Sequence, residues 1–293
     1  MHYEDFKQIP IFLPPLEEQK TIARFIDRKL EQIAHFISNK QRLIELLKEW
    51  KSAIVNRAVT KGLNPHAIMK PSGIEWLGEI PQNWEILPLK HIAKIQTGVT
   101  LGKSYIDVTL ETLPYLRVAN VQDGYLDLSD IKNIDLPKSE INRYILKVGD
   151  VLITEGGDFD KLGRGYVWEG QLEDCLHQNH IFAVRPDLSY LKSYFLAALM
   201  KSSYGRNYFS FTSKQTTNLA STNSTTLKNL KIILPSVDEQ TKILSFIEDE
   251  SAKIDLAIAK IEKEIELIQE YRTTLISDAV TGKIDVRELT HSS

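Results

Sequence analysis

The chain has 293 residues, 42% of them hydrophobic and 26% charged, enough apolar material for a globular core and too much for a disordered polyelectrolyte. Its net charge of -3 argues against a general nucleic-acid binder, so any basic surface must come from local clustering. No apolar run approaches the roughly 18 to 20 residues of a membrane span, the N-terminus lacks signal-peptide order, and the single Cys175 excludes an internal disulfide; the expectation is a cytoplasmic protein with no membrane partner.

In chain order, Phe6 to Ile9 reads as a short strand ending at Leu13-Pro14. It aligns with Leu227 to Leu230, at the same offset as a much longer repeat. Ile11–Thr60 and Ile232–Thr281 match without a gap at 17 of 50 positions, which marks a duplicated structural unit. Each copy begins with Leu-Pro and then Glu-Gln (Leu13, Pro14, Glu18, Gln19; Leu234, Pro235, Glu239, Gln240) and ends in Ala-Val-Thr. Between these, apolar residues alternate at spacings of four and three: Ile26, Leu30, Ile33, Ile37, Ile44, Leu47 and Ile54, interrupted by Lys40 and Lys51. The second copy has Ile247, Ile254, Ile258, Ile261, Ile265, Ile268 and Leu275, interrupted by Ser251 and Arg272. This is the seam of a coiled coil, with prolines and acidic residues before each start and Gly62 and Gly282 at the stops. Residues 17–62 carry ten Lys/Arg against six Asp/Glu, and residues 238–288 seven against thirteen, so each helix prefers the other to itself. A long insert joining them predicts an antiparallel pair.

The insert, 63–237, reads as one α+β domain with a small β-sheet, giving the fold class: a globular domain flanked by two long helices in an antiparallel coiled coil. A Gly, Pro and Trp punctuated segment leads in, with a short helix near Leu89 to Ala93. Strands are predicted at Pro114–Val121, Tyr125–Ile131, Asp150–Thr154, Gly165–Trp168 and His180–Val184, then a helix from Leu188 to about Asn207. Residues 1–16 read as the remnant strand of an upstream domain, 17–62 as the first helix, and 238–293 as the second helix with its tail.

Motifs for catalysis are near misses. Gly98 to Ser104 has three residues between its glycines where a phosphate-cradling P-loop needs four. Cys175, His177 and His180 have metal-ligating side chains but no second cluster, so no metal is assigned. Asp158 and Asp160 lie in a glycine-rich loop without a nucleophile nearby; a binding loop is the better reading, and no catalytic residue is assigned. Polar residues suited to DNA do recur on predicted loops. These are Gln96, Thr97, Thr100 and Lys103; Arg117 and Asn120; Lys161 and Arg164; Asn179 beside Gln178 and His180; and Lys214, Gln215, Thr216 and Asn218. Arg, Lys, Asn and Gln can read base edges bidentately, and Ser, Thr and Lys hold phosphates. The same residues also compose ordinary polar turns.

Ordered along the chain, the Leu-Pro…Glu-Gln helix start, the Ala-Val-Thr helix end, SGIEWLGEIPQNWEILPLKHIAKIQTG, YLRVANVQDG, LKVGDVLITEGG, Gln178-Asn179-His180 and the second helix start resemble the specificity subunit of Type I restriction-modification systems. The resemblance runs over essentially the whole chain. It implies a non-catalytic subunit whose target recognition domain reads one half of a split double-stranded DNA site. The paired helices would hold modification methyltransferase subunits, and a restriction/translocase subunit would join through the complex. S-adenosylmethionine, ATP and magnesium would sit on those partners only, leaving this chain without a cofactor. Members of the family usually carry two recognition domains. The single domain here implies a half-subunit that pairs with a second specificity half-subunit, or a cassette that serves only as a coiled-coil adaptor.

Overall fold

The structure is a computed structural model describing residues 13–102, 105–157, 162–215 and 220–287. The chain forms two compact units, one of the helical residues up to Lys51 and from Ser251 onward, the other of Ser52–Glu250.

Two helices form the first unit, α1 (Leu16–Lys61) before the domain and the last helix (Val237–Val280) after it. The repeated Glu-Gln motif has a repeated geometry. Gln19 Nε2 donates to the Pro14 carbonyl at 2.8 Å and Gln240 Nε2 to the Pro235 carbonyl at 3.0 Å, so each glutamine folds back over its own helix start. Both helices stop at glycines in the left-handed region, Gly62 (φ 74°) and Gly282 (φ 72°), where a Cβ would strain the backbone. Phe25, Ile33, Leu275, Ala279 and Val286 form one buried cluster, with Ile22, Ile26, Ile37 and Ile268 packed against it. The two lysines that interrupt the first seam are paired across it. Lys40 meets Glu264 at 2.6 Å and Lys51 meets Asp255 at 2.7 Å, so advancing along one helix retreats along the other and the pair is antiparallel.

The central sheet of the second unit is antiparallel, in the order β4 (Ala93–Thr97), β11 (Ile181–Pro186), β7 (Val151–Thr154), β9 (Gly165–Val167). Both inner strands are buried on their two faces, which is why IFAVRP and VLIT read as apolar runs without alternation. A second sheet sets β5 (Leu110–Leu116) between β6 (Lys132–Pro137) and β10 (Leu176–His177). Small pairings complete the unit: β1 (Met69–Pro71) with β2 (Glu79–Pro81), and β3 (Glu85–Pro88) with β14 (Lys231–Leu234). The three-stranded ribbon orders β12 (Lys214–Gln215), β13 (Ala220–Ser221) and β8 (Gly156–Gly157). The core gathers Trp84, Leu89, Phe182, Phe195, Phe209 and Ile232. Ala58, Val59 and Ile243 belong to this same core, so the domain-side turns of both long helices are part of the second unit.

Several expected boundaries move, each for a local reason. The strand expected at Pro114–Val121 begins and ends earlier, giving way to a 3-10 turn at Val118–Asn120 that the Asn120 side chain closes by accepting from Arg117 N. Tyr125–Ile131 is not a strand. Gly124 turns it at φ 88°, and Asp127 caps the backbone and hydroxyl of Ser129. The expected helix from Leu188 splits at Ser202 into α2 (Ser193–Lys201) and α3 (Ser203–Thr212), Ser202 being extended (ψ 165°) with its hydroxyl bonded back to Leu199 O. The Leu227–Leu230 segment is mostly helix, α4 (Ser224–Asn229), capped by Asn223; strand β14 starts one residue after it. The Phe6–Ile9 strand lies outside the described residues.

Candidate nucleic-acid interface

The register of the central sheet decides which loops meet. Phe182 stands opposite Thr97, Ile181 opposite Thr154, and Ile153 opposite Gly165, so β4 and β7 leave the sheet at the end where β11 and β9 enter it. Residues 97–102, 155–157, 162–164 and 177–180 therefore emerge together. The ribbon joins them through β8, since Gly156 and Gly157 pair with Ser221 and Ala220. Backbone bonds fix the stems. Val99 N donates to His177 O at 2.8 Å, Asn179 N to Val99 O at 3.0 Å, and Glu155 N to His180 O at 2.9 Å. Gly98 is required here, because a Cβ would lie 2.0 Å from the His177 carbonyl oxygen.

This end gathers most of the candidate residues. Thr97 and Thr100 are exposed; Gln96, Arg164 and Asn179 are partly so, and the Gln96 side-chain nitrogen is buried without a hydrogen bond among the described residues. Lys214 and Gln215 enter through their backbone, paired with Ser221 and Ala220. Lys103, Lys161, Thr216 and Asn218, with Asp158 and Asp160, lie outside the described residues.

Arg117 and Asn120 stand nearby but are committed to the framework. Arg117 Nη2 donates to the Asp130 carboxylate at 2.7 Å and to its carbonyl at 3.0 Å. Asn120 is 3% exposed; its oxygen accepts from Arg117 N and its nitrogen donates to the carbonyls of Asp127 and Asp130. An amide with both ends engaged inside the protein has no edge for a base, which corrects the expectation for Asn120.

Cys175 and His177 are buried structural residues. Burial pushes the thiol up to about 12 and the imidazole down to about 4, overriding the Gln96 and Tyr144 carbonyls beside the ring, so both are neutral near pH 7. His180 instead places Nδ1 2.7 Å from Glu155 Oε2. Among the described residues no cluster of three metal-ligating side chains occurs.

Sequence reasoning missed the cationic groove along β4, which is an edge strand. One stretch of about 360 Å³ is lined by Lys94, Gln96, Thr97, Arg143 and Arg185, and an adjoining one of about 420 Å³ by Lys90, His91, Lys94, Arg185 and Asp187. Arg185 is neutralised by a bidentate bond to buried Asp150, both distances 2.7 Å. Lys94 and Arg143 make no ion pair among the described residues and supply the positive charge. The Lys94, Gln96 alternation was visible; Arg143 comes from another element and could not be placed beside it.

The fold is α+β, with polar loops gathered at one end of the central sheet in one unit and an antiparallel helical pair in the other. The family model described as Type I restriction modification DNA specificity domain matches residues 81–267, and the chain belongs to that family. It is 28% identical over 207 residues to the putative type I restriction enzyme MjaX specificity subunit of Methanocaldococcus jannaschii, covering 70% of this chain and 47% of that protein. With the MjaVIII specificity subunit of the same organism it shares 30% identity over 292 residues, 97% of this chain and 64% of the relative. With the EcoKI specificity subunit of Escherichia coli the identity is 24% over 95% of this chain and 58% of the relative. The chain thus spans about half to two thirds of the length of these relatives. In fold it is similar to a chain solved in work on complex assembly and conformational transition of the type I R-M system (TM-score 0.66, 18% identity, 92% of this chain and 60% of that one). It is also similar to the HsdS subunit from Thermoanaerobacter tengcongensis (TM-score 0.53, 18% identity, 94% and 60%).

Proposed function

We propose that this chain is a non-catalytic, sequence-specific DNA-recognition subunit of a Type I restriction-modification complex, its one globular domain reading one half of a bipartite site. The observation that supports it most is the convergence of four loops and a ribbon, rich in Gln, Asn, Thr and Lys, at one end of the central sheet. Gln96, Asn179 and the ribbon residues Lys214 and Gln215 would read base edges, while Lys94 and Arg143 on the β4 groove hold phosphates. The helical pair would dock modification methyltransferase subunits, and a second recognition domain, from another half-subunit, would supply the other half-site. The restriction/translocase subunit would join through that complex.

The test is selection from a randomised duplex pool, with the full chain alone and with its modification methyltransferase. A single recognition domain offers few base contacts, so the chain alone should bind weakly and gain affinity and sequence preference with the partner. A complex that binds DNA without any sequence preference overturns the proposal.

A further inference from the structure

At the loop end lies a pocket of about 440 Å³ lined by Val118, Glu155, Gly156, His180, Ser221 and Thr222. The backbone builds it. Glu155 N donates to His180 O at 2.9 Å, Thr222 N to Glu155 O at 2.8 Å, and Val118 N to Gln178 Oε1 at 3.2 Å, so three separate segments are held at fixed spacing. Within it the Glu155 carboxylate lies 2.7 Å from His180 Nδ1. An ionised carboxylate only accepts, so Nδ1 carries the proton and, in the neutral ring, Nε2 is an acceptor. Thr222 is 6% exposed and its hydroxyl has no hydrogen-bond partner among the described residues, which is unfavourable for a buried polar group unless a ligand meets it.

A carboxylate at a DNA-reading surface repels phosphates and the keto edges of guanine and thymine. What it attracts are the exocyclic amino groups, cytosine N4 and adenine N6. We infer that this pocket takes the amino-bearing edge of one target base. Glu155 accepts from the amino group, His180 orients the carboxylate by holding Oε2, and the Thr222 hydroxyl meets the neighbouring acceptor of the same base. Adenine fits the set more fully than cytosine, since its N7 lies beside N6 and gives the hydroxyl an acceptor. Glu155 and Thr222 are thus specificity-determining residues and His180 a positioning residue; the inference rests on the proposed reading of DNA by this domain.

The experiment selects sites from a randomised duplex pool with the full chain and its modification methyltransferase, comparing wild type, Glu155→Gln and Thr222→Val. Glutamine can donate where glutamate only accepts. Glu155→Gln should therefore let a keto base replace the amino base at one position, shrinking discrimination there by about five- to a hundredfold. The remaining positions and the salt dependence should stay as in the wild type. Thr222→Val removes a hydroxyl that has no partner among the described residues, so thermal stability should hold while discrimination at that same position falls. Replacing the base by purine, which lacks the amino group, should weaken wild-type binding and leave Glu155→Gln less affected; the same loss with a cytosine analogue lacking N4 would assign the pocket to cytosine. If both folded variants keep the wild-type preference at every position, the inference is overturned while the wider reading stands. A wild-type complex without sequence preference would overturn both.

Discussion

Replacing Asp150 with Ala should destabilise the globular unit by about 2–4 kcal/mol. The carboxylate is fully buried and accepts Arg185 Nε and Nη2, both at 2.7 Å, and Lys147 N at 2.9 Å. Breaking a wholly buried pair costs about 3–5 kcal/mol, because the partner's charge is left without compensation. The Arg185 side chain is 33% exposed and can regain some hydration, which lowers the figure. With a urea dependence of about 2 kcal/mol per molar, the midpoint should fall by about 1–2 M, followed by fluorescence of the buried Trp84 and Trp168. Arg185→Met strands a fully buried carboxylate and should cost at least as much. The Asp150→Ala, Arg185→Met double variant should lose clearly less than the two single losses together, with a coupling of about 1–3 kcal/mol. A midpoint shift under about 0.3 M for Asp150→Ala, or strictly additive losses, would refute the reasoning.

Three other outcomes are expected. His177 binds its proton less readily when folded (about 4) than when unfolded (6.5), so between those values the unfolded state holds more protons. Stability should thus be full above pH 6.5 and fall by up to about 3 kcal/mol as pH drops toward 4, and urea midpoints of a folded His177→Gln variant should follow a flatter profile across that window. Reversing both Lys40 and Lys51 to Glu should cost the helical pair about 1–2 kcal/mol at low salt, with recovery on adding Glu264→Lys and Asp255→Lys in thermal melts. Lys94→Ala and Arg143→Ala should each weaken binding to all duplexes alike and reduce the slope of log affinity against log salt by about one, whereas Asn179→Ala should instead relax preference at one base position.

How much of this was legible in the sequence depended on the range of the interactions. The helical pair was legible because its seam repeats every few residues and the opposite charges of the two copies state their partner. Even the interruptions at Lys40 and Lys51 made sense once Glu264 and Asp255 stood across from them. The inner strands at 151–154 and 181–186 were legible as apolar runs. Asn120 was misread because its bonds reach Asp127 and Asp130, and nothing in VANVQDG says whether an amide points to solvent or back into its own loop. The alternation in Tyr125–Ile131 is genuine, yet the Asp127–Ser129 turn and Gly124 bend the backbone away from any strand. The β4 groove joins residues from separate elements, a property of topology that no local window contains.

The loop end of the central sheet divides its labour between backbone and side chain. Its stems are fixed by main-chain bonds, Val99 to His177, Asn179 to Val99, Glu155 to His180 and Thr222 to Glu155, none of which depends on the side chain at the position. Where the chains approach too closely for a Cβ, as at Gly98 against the His177 carbonyl and Gly165 against the Leu152 carbonyl, the scaffold demands one residue. Thr97, Thr100 and Asn179 therefore carry side chains that can change without unpinning the loops, while Arg117, Asn120 and Asp150 cannot, because their polar groups are the pins. A fold built this way tolerates exchange of its exposed loop side chains while keeping the loops in place. The residues whose replacement alters binding preference should then be those whose replacement leaves stability within about 0.5 kcal/mol, as for surface positions away from buried networks.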